Sequence, residues 1–442
     1  MTNTSEVWKK QGNNSYQHIS SFKPSFQTSI YNVSCFTKSI TFTDKVIPDK
    51  DTGVLSTGIM YTQGKDVYEI DCNLPLESFY DDEDDDEDNN NKKDSKGVST
   101  YGDAFKSVEN KLLKPKWTYQ GETITKIIHL GEGEDISAIV MVANGSLAWF
   151  RDGVVVPIHI MQEFMGPGMS FSPIHSINDN GKLTVSDFDL SIDYETVVKS
   201  HSNMFGDGSI IKIIDNSGKP GELLRKIRVP GTTVTHSVRF FDNHLFATCS
   251  DDNIIRFWDT RTGGDPLWTL SDPNNGALTS FDASSVVDTL FATGSDTGIV
   301  KLWDVRAVSN AAVDLSNRQN GEDPIQDEVV TLHHSGGDSV VDIKFSFTSP
   351  SELVTIGGTG NVYHWDMESF FSQYDDDNED VTYSTDEDVK AQCLKFLHTG
   401  GSRRALSHIG KRNTVAWHSL VSDLITTVDD DCLITVYKPY AA

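Results

Sequence analysis

One hairpin that occurs twice constrains the fold of this chain more than any other feature. Residues 290–306 (LFATGSDTGIVKLWDVR) repeat the pattern of residues 245–261 (LFATCSDDNIIRFWDTR) at a distance of 45 residues. Each copy has an apolar run, a turn of small and polar residues, and a β-branched and aromatic run that ends in Trp-Asp. This pattern predicts a β-hairpin. A period of about 40 to 45 residues is typical of the four-stranded blades of a β-propeller.

Weaker copies of this hairpin extend the repeat along most of the chain. They comprise four continuous units and one broken unit, at residues 58–71, 136–150, 183–187 continued at 208–215, 353–366 and 424–438. In the broken unit we interpret the polar run between the two parts as an inserted loop. Closing the ring removes exposed sheet edges. We therefore predict an all-β chain that forms a seven-bladed β-propeller.

The Trp-Asp endings resemble those of the WD-repeat family of propellers. Members of that family use the Trp to pack between blades and a nearby Asp to tie a turn, so the resemblance implies structural roles for Trp258, Asp259, Trp303, Asp304, Trp365 and Asp366. The chain departs from the family because no Gly-His dipeptide precedes Val234 or Leu278. In later blades His334 and His398 are the candidates to replace it.

The propeller is predicted to form a single domain from residue 38 to residue 442. An N-terminal extension, residues 1–37, precedes it. Residues 38–46 alternate like a strand. We expect this strand to complete the last blade by pairing beside the strand at residues 433–437.

The net charge of −28 is concentrated in two acidic runs. Residues 81–88 are all Asp or Glu, and residues 375–388 contain eight more acids and no basic residue. Because such runs cannot bury themselves, we predict acidic disordered loops at 81–96 and 374–389, the first of them between blades one and two. An acidic surface repels phosphate backbones, so no direct DNA binding is expected. A basic partner is complementary to this charge, and histones are one such class.

Motifs that carry chemistry are absent from the sequence. It has no phosphate-binding loop, no GxSxG elbow, no HExxH and no Cys/His metal spacing. The N-terminus is polar, no run of 18 apolar residues occurs, and the five cysteines form no CxxC pair. We therefore expect a non-enzymatic intracellular protein without a cofactor or a membrane segment, which works through its surfaces.

Four stretches are similar to one branch of the WD-repeat family. They are residues 8–26 (WKKQGNNSYQHISSFKPSF), 230–244 (PGTTVTHSVRFFDNH), 318–326 (RQNGEDPIQ) and 400–418 (GGSRRALSHIGKRNTVAWH). These stretches resemble the fungal WD-repeat transcriptional modulators, the WTM and UME type proteins of budding yeasts. The resemblance implies a nuclear co-regulator that represses meiotic genes and takes part in silencing through histone deacetylase corepressor complexes. The alternative that it implies is a nuclear retention anchor for ribonucleotide reductase small subunits in the replication-stress response.

The candidate partner-binding residues lie in polar or charged segments outside the repeated hairpins. The branch is distantly similar to histone-binding propellers, in which an N-terminal helix and an acidic loop grip a histone helix. By position, the corresponding candidates here are Trp8, Asp81, Asp82, Glu83, Asp84, Asp85 and Asp86. A basic turn supplies four more candidates, Arg403, Arg404, Lys411 and Arg412, which serve nuclear import, partner binding or only charge balance.

One further segment is more apolar than an average loop. Residues 154–175 (VVVPIHIMQEFMGPGMSFSPIH) contain several Met and Phe side chains. Two interpretations are open for it, packing within a blade and a hydrophobic docking surface. We favour packing.

Overall fold

The structure is a computed structural model, and it describes residues 16–22, 38–48, 55–74, 113–131, 135–163, 186–202, 208–272, 275–309, 328–368, 371, 392–399, 413–429 and 432–439. Within these residues 28 strands form seven four-stranded antiparallel sheets. Each sheet is one blade of a closed ring. The expected seven-bladed β-propeller is confirmed.

The strands of the first four blades follow one another along the chain. From the inside outwards, blade one consists of β2 (Ile40–Pro48), β3 (Leu55–Gln63), β4 (Asp66–Leu74) and β5 (Trp117–Thr118), and blade two of β6 (Ile124–His129), β7 (Ala138–Val142), β8 (Leu147–Phe150) and β9 (His159–Met161). In the same order, blade three consists of β10 (Ser186–Leu190), β11 (Thr196–Ser202), β12 (Ser209–Asp215) and β13 (Leu223–Arg228), and blade four of β14 (Thr235–Phe240), β15 (Leu245–Ser250), β16 (Ile254–Asp259) and β17 (Trp268–Ser271).

The last blade combines strands from the two ends of the chain. Blade five consists of β18 (Leu278–Ala283), β19 (Leu290–Ser295), β20 (Ile299–Asp304) and β21 (Val330–His333), and blade six of β22 (Val340–Phe345), β23 (Glu352–Gly357), β24 (Val362–Asp366) and β25 (Leu394–His398). Blade seven consists of β26 (Val415–Trp417), β27 (Ile425–Val428) and β28 (Ile434–Pro439) from the end of the chain, with β1 (Tyr16–Phe22) as its outer strand. A short 3₁₀ helix, Ser335–Gly337, lies between blades five and six.

The first strands of the blades line the centre of the ring. β2, β6, β10, β14, β18, β22 and β26 each contact or bond the first strand of a neighbouring blade, and we call this set the inner wall. Outside it, seven apolar clusters fill the spaces between neighbouring blades. A middle strand therefore has a blade on each side, which explains why every residue of β19 and of β23 is buried. Such strands have continuous apolar runs because both of their faces lie in the core.

The strand that closes the ring is β1 and not the one expected from the sequence. β1 pairs antiparallel with β28, where Phe22 lies opposite Ile434 and Tyr16 opposite Pro439. The prediction that residues 38–46 pair with the last strand is wrong, because β2 instead begins blade one and pairs with β3. The predicted extension thus supplies one strand of the propeller.

Two other expectations about connections are also wrong. Blade three is not broken, because residues 196–202 of the supposed inserted loop form β11, which pairs with both β10 and β12. The acidic residues 81–96 follow β4 and precede β5, and these two strands pair in blade one. Their connection therefore lies within blade one and not between blades one and two. Residues 81–96 and 374–389 themselves lie outside the described residues.

Removal of β1 is expected to destabilise the ring. Ile19 and Phe22 are buried between blades seven and one, and burial of such a side chain contributes about 1.5–3 kcal/mol. Without β1, the β28 strand becomes an exposed sheet edge that can pair with other chains. Deletion of residues 1–22 should therefore lower the melting temperature and promote aggregation, measured by scanning calorimetry and light scattering. Deletion of residues 1–15 is the matched control, and equal destabilisation by both deletions would contradict the assignment of β1.

Candidate functional site

The Trp of each clear repeat lies buried and bonds to a Thr on the neighbouring strand of its own blade. Trp258 Nε1 donates to Thr248 Oγ1 at 2.9 Å, and Trp303 bonds in the same way to Thr293 at 2.9 Å. In blade six the equivalent distance from Trp365 is 2.8 Å. Because each indole is at most 2% exposed, it stabilises the blade and offers no surface to a partner.

The Asp after each Trp organises the turn that follows the third strand of its blade. Asp259 accepts the backbone N–H of Arg261 and forms an ion pair with its guanidinium at 2.6 Å. Asp304 accepts the backbone N–H of Arg306, and Asp366 accepts the backbone N–H of Glu368 as well as the Ser351 hydroxyl. These carboxylates are turn-stabilising groups.

Asp residues in the turns between the second and third strands substitute for the missing Gly-His dipeptides. In blade four, Asp251 Oδ1 accepts the N–H of Val234 at 2.8 Å. Asp296 bonds Ala277 in the same way in blade five, also at 2.8 Å. Each carboxylate therefore ties its turn directly to the residue before the inner strand.

His334 does provide the histidine of a complete side-chain network in blade six. Its Nδ1 lies 2.8 Å from the carbonyl oxygen of Asp338, so Nδ1 is the donor and Nε2 is the acceptor. The Thr355 hydroxyl therefore donates to Nε2, at 2.6 Å, and its oxygen accepts from Trp365 Nε1. The imidazole stacks on Tyr363 at 3.9 Å between centroids. His398 occupies the equivalent place before blade seven and stacks on Tyr437 at 4.6 Å.

The two Thr hydroxyls allow this network to be tested by a matched pair of variants. Thr355→Val removes the bonding partner of both Trp365 and His334, whereas Thr248→Val removes only the partner of Trp258. Each buried donor or acceptor without a partner costs about 1–3 kcal/mol. Thr355→Val should therefore lower the free energy of unfolding by about twice as much as Thr248→Val, measured by urea denaturation. Equal losses would show that His334 contributes nothing through Thr355.

A chain of buried ion pairs runs along the inner wall. Asp187 accepts from Lys126 at 2.8 Å and from Arg239 at 2.6 Å, so it links blades two, three and four. Arg239 also donates to Asp282 of blade five at 2.8 Å. Asp282 in turn accepts the backbone N–H of Phe345 in blade six at 2.9 Å.

Hydrogen bonds extend these links between inner strands from blade six to blade one. Asp342 of blade six accepts the N–H of Asn413 at 2.8 Å, and the carbonyl of Asn413 accepts from Ile40 at 2.9 Å. None of these residues is among the candidates named from the sequence. The signal that could have revealed it is the presence of a charged residue in most of the first strands, namely Lys126, Asp187, Arg239, Asp282 and Asp342.

The electrostatics of the inner wall favour a structural role. Burial opposes the charged form of Asp187, but Lys126 and Arg239 outweigh burial and hold its pKa well below the ordinary value. Burial lowers the pKa of Lys126 although Asp187 opposes the shift. Both oxygens of the Asp187 and Asp282 carboxylates thus accept from cations or backbone N–H groups.

A second buried cluster lies between blades two and three. Glu163, after β9, forms ion pairs with Lys199 and with Lys212. Burial lowers the pKa of Lys199 to about 8, although Glu163 opposes the shift. The Lys199 side chain is fully buried, so its amine cannot reach a substrate. This cluster fastens the outer segment of blade two to blade three.

The ring has two faces that differ in which connections they present. One end carries the connections between the first and second strands of each blade, and we call this end the a–b face. The b–c face is the opposite end, with the turns between second and third strands and the connections between blades. Because every blade repeats the same inner-to-outer strand order, each kind of connection gathers at one end of the ring.

None of the predicted partner-binding residues lies in the part of the chain that the structure describes. This applies to Trp8, Asp81, Asp82, Glu83, Asp84, Asp85, Asp86, Arg403, Arg404, Lys411 and Arg412. Their roles stay predictions. Among the described residues, no group of three or more His, Cys, Asp or Glu could hold a metal ion. The described helices include none that is both long and apolar enough to span a bilayer.

The apolar segment 154–175 is described only as far as residue 163. Val155, Val156 and Ile158 are between 41% and 53% exposed, so the favoured packing interpretation is wrong for these three residues. Their segment turns from β8 to β9, where the Val155 carbonyl accepts the N–H of Thr118 of blade one. Met161 alone packs partly against the core between blades two and three.

The closed ring and its Trp–Thr pairs define a WD-repeat β-propeller. The family described as WD domain, G-beta repeat, matches residues 221–259 and 264–304. A chain in the crystal structure of the mitotic checkpoint complex has a similar fold, with a TM-score of 0.53 over 95% of this chain and 94% of that chain. Its sequence identity is 11%, so this likeness concerns the fold alone.

Three relatives from Saccharomyces cerevisiae align along nearly the whole chain. The transcriptional modulator WTM2 is 57% identical over 97% of this chain and 93% of its own length, and the transcriptional modulator WTM1 is 51% identical over 98% of each. The transcriptional regulatory protein UME1 is 41% identical over 98% of this chain and 93% of its own length. The chain therefore belongs to the family of WD-repeat transcriptional modulators of the WTM and UME type.

Proposed function

We propose that this protein is a non-enzymatic nuclear scaffold that acts as a transcriptional co-regulator. The observation that carries the proposal is its 57% identity, over 97% of the chain, to a protein named as a transcriptional modulator. Identity of this extent covers connections as well as strands, and the connections of a propeller are the parts that bind partners. The same role in transcription is the reason for placing the protein in the nucleus.

The arrangement of the described residues supports a function through surfaces. The carboxylates of Asp187 and Asp282 on the inner wall are bonded, and the unusual amine of Lys199 is buried beside Glu163. A catalytic acid, base or nucleophile must reach its substrate, whereas these groups are largely buried and already paired. A rigid ring with many connections at its ends suits the binding of several proteins at once.

The partner that we propose is a histone deacetylase corepressor complex, together with the histones on which such a complex acts. Histone tails are basic, and the chain carries a net charge of −28 with eight consecutive acids at residues 81–88. Charge of opposite sign speeds encounter and selects partners. The connection of residues 81–88 leaves blade one between β4 and β5, at the end that carries the a–b connections.

Affinity purification of the tagged protein from nuclear extract tests the proposal. The informative variant replaces the acids of residues 81–88 by Ser and Asn. The matched control makes the same replacement at the eight acids of residues 375–388, so that both variants lose the same charge. Mass spectrometry should find deacetylase subunits with all three proteins. Histones should be lost only when residues 81–88 are changed.

Two outcomes would count against this account. Recovery of ribonucleotide reductase small subunits without any chromatin protein would favour the alternative function, a nuclear retention anchor for that enzyme. Equal loss of histones from both variants would show that histone binding follows net charge and not the run in blade one. In the anchor case, deletion of the gene should move the reductase subunits to the cytoplasm while transcription changes little.

A further inference from the structure

The exposed large apolar residues of this propeller are distributed unequally between its two faces. The a–b connection of blade three exposes two, Ile192 and Tyr194, and those of blades five, six and seven expose one each, namely Val286, Phe347 and Leu420. In blade one, Ile47 at the end of the inner strand is also exposed. On the described part of the b–c face, no turn or connection carries an exposed large apolar residue. The asymmetry indicates that the a–b face has a binding role.

The position of these residues places them around the mouth of the central channel. An a–b connection leaves the end of an inner strand, and the seven inner strands line the channel. Phe347 and Leu420 belong to adjacent blades, and they are 53% and 63% exposed. An exposed apolar patch on a soluble protein marks an interaction site, and these two side chains belong to connections at the same end of neighbouring blades.

In the a–b connections of blades two to seven the charged residues have one sign, whereas that of blade one contains Lys50. Exposed acids occur in the a–b connections of blades two, three, four and five, at Asp135, Asp193, Glu195, Asp242 and Asp288. The a–b connections of blades two to seven contain no Lys or Arg anywhere in their sequence, at residues 130–137, 191–195, 241–244, 284–289, 346–351 and 418–424. The a–b face is therefore apolar and acidic around the channel mouth.

We propose that the a–b face docks a basic amphipathic helix of a protein partner. Its apolar side would cover Ile192, Phe347 and Leu420, and its flanking Lys or Arg side chains would lie near Glu195 and Asp288. Helices bind in this way when an apolar stripe meets an apolar surface and charges of opposite sign surround it. A second copy of the same face would bring like charges together, and an anionic membrane or nucleic acid would be repelled. The proposal does not depend on the deacetylase complex or on residues 81–88.

A fluorescent peptide of Leu and Lys, about 20 residues long so that it forms a stable amphipathic helix, is a suitable probe. Binding is measured by anisotropy at physiological salt, which screens contacts between well-separated charges. The protein is the full chain, with residues 81–88 changed to Ser and Asn so that this run cannot bind the peptide. A second peptide, in which Glu replaces every Lys, controls for apolar binding alone.

The test variant is Ile192→Ser, Phe347→Ser and Leu420→Ser combined. The matched control removes three exposed apolar side chains from the outer strands of blades two and three, by Ile160→Ser, Leu223→Ser and Leu224→Ser. All six side chains are at least 37% exposed, so both variants should fold, and melting temperatures check this. The test variant should bind the Leu–Lys peptide about tenfold more weakly than the parent, because anchor residues dominate binding energy. The control variant should bind it like the parent.

A charge variant, Glu195→Lys with Asp288→Lys, provides a second measurement that does not alter any apolar residue. It should weaken binding of the Leu–Lys peptide and strengthen binding of the Leu–Glu peptide. Equal weakening by the test and control triple variants would overturn the proposal, as would equal affinity of the parent for both peptides. Dimerisation of the parent in sedimentation, lost in the test variant, would also overturn it by making a second copy the occupant.

Discussion

The carboxylate of Asp187, shared between Lys126 and Arg239, is the interaction on which the arrangement of the inner wall depends. Two charged groups from neighbouring blades meet at one acid of the blade between them. Charges taken out of water are costly unless each one finds a close partner. The pairs therefore form only when blades two, three and four are in register. Apolar clusters alone would allow small slips between blades, whereas a carboxylate with two fixed donors does not.

Closure of the ring explains why this register matters. A propeller is a series of similar units in which each blade packs on its two neighbours, so a missing or misplaced blade leaves two apolar surfaces exposed. Here the final contact is made by β1, which comes from near the other end of the chain to complete blade seven. The ring then acts as a rigid frame, and the connections at its two ends are free to differ in sequence and in binding properties.

The number of blades could be predicted because each hairpin is a local pattern. The repeated Trp-Asp endings and apolar runs are read from a few neighbouring residues, and the fold follows from their count. The closing strand could not be predicted in the same way, since residues 16–22 and residues 38–46 both have strand character. Which of them pairs with β28 depends on contacts between opposite ends of the chain. Periodicity within a segment carries no information about such contacts.

Among the site residues, too, local contacts could be predicted from the sequence and contacts between distant parts of the chain could not. The local bonds of Asp259 and Asp251 to nearby backbone follow from turn chemistry, which a sequence shows directly. The ion pairs of Arg239 join blades that are separated by about 50 residues, and a charged residue in a strand is normally interpreted as facing solvent. Exposure of Phe347 likewise becomes visible only when the a–b connections of different blades are seen at one end of the ring.

Hydrogen exchange of the Arg239→Met variant tests most directly whether the inner wall holds the ring together as one unit. Loss of Arg239 leaves Asp187 and Asp282 short of a cation, and breaking a buried pair costs about 3–5 kcal/mol. If the ring opens cooperatively, amides of the inner strands in all seven blades should exchange faster by a common factor. Arg261→Met, which breaks the surface pair with Asp259, should leave exchange unchanged. Faster exchange confined to blades three, four and five would contradict the account, because the pairs would then stabilise only their own blades.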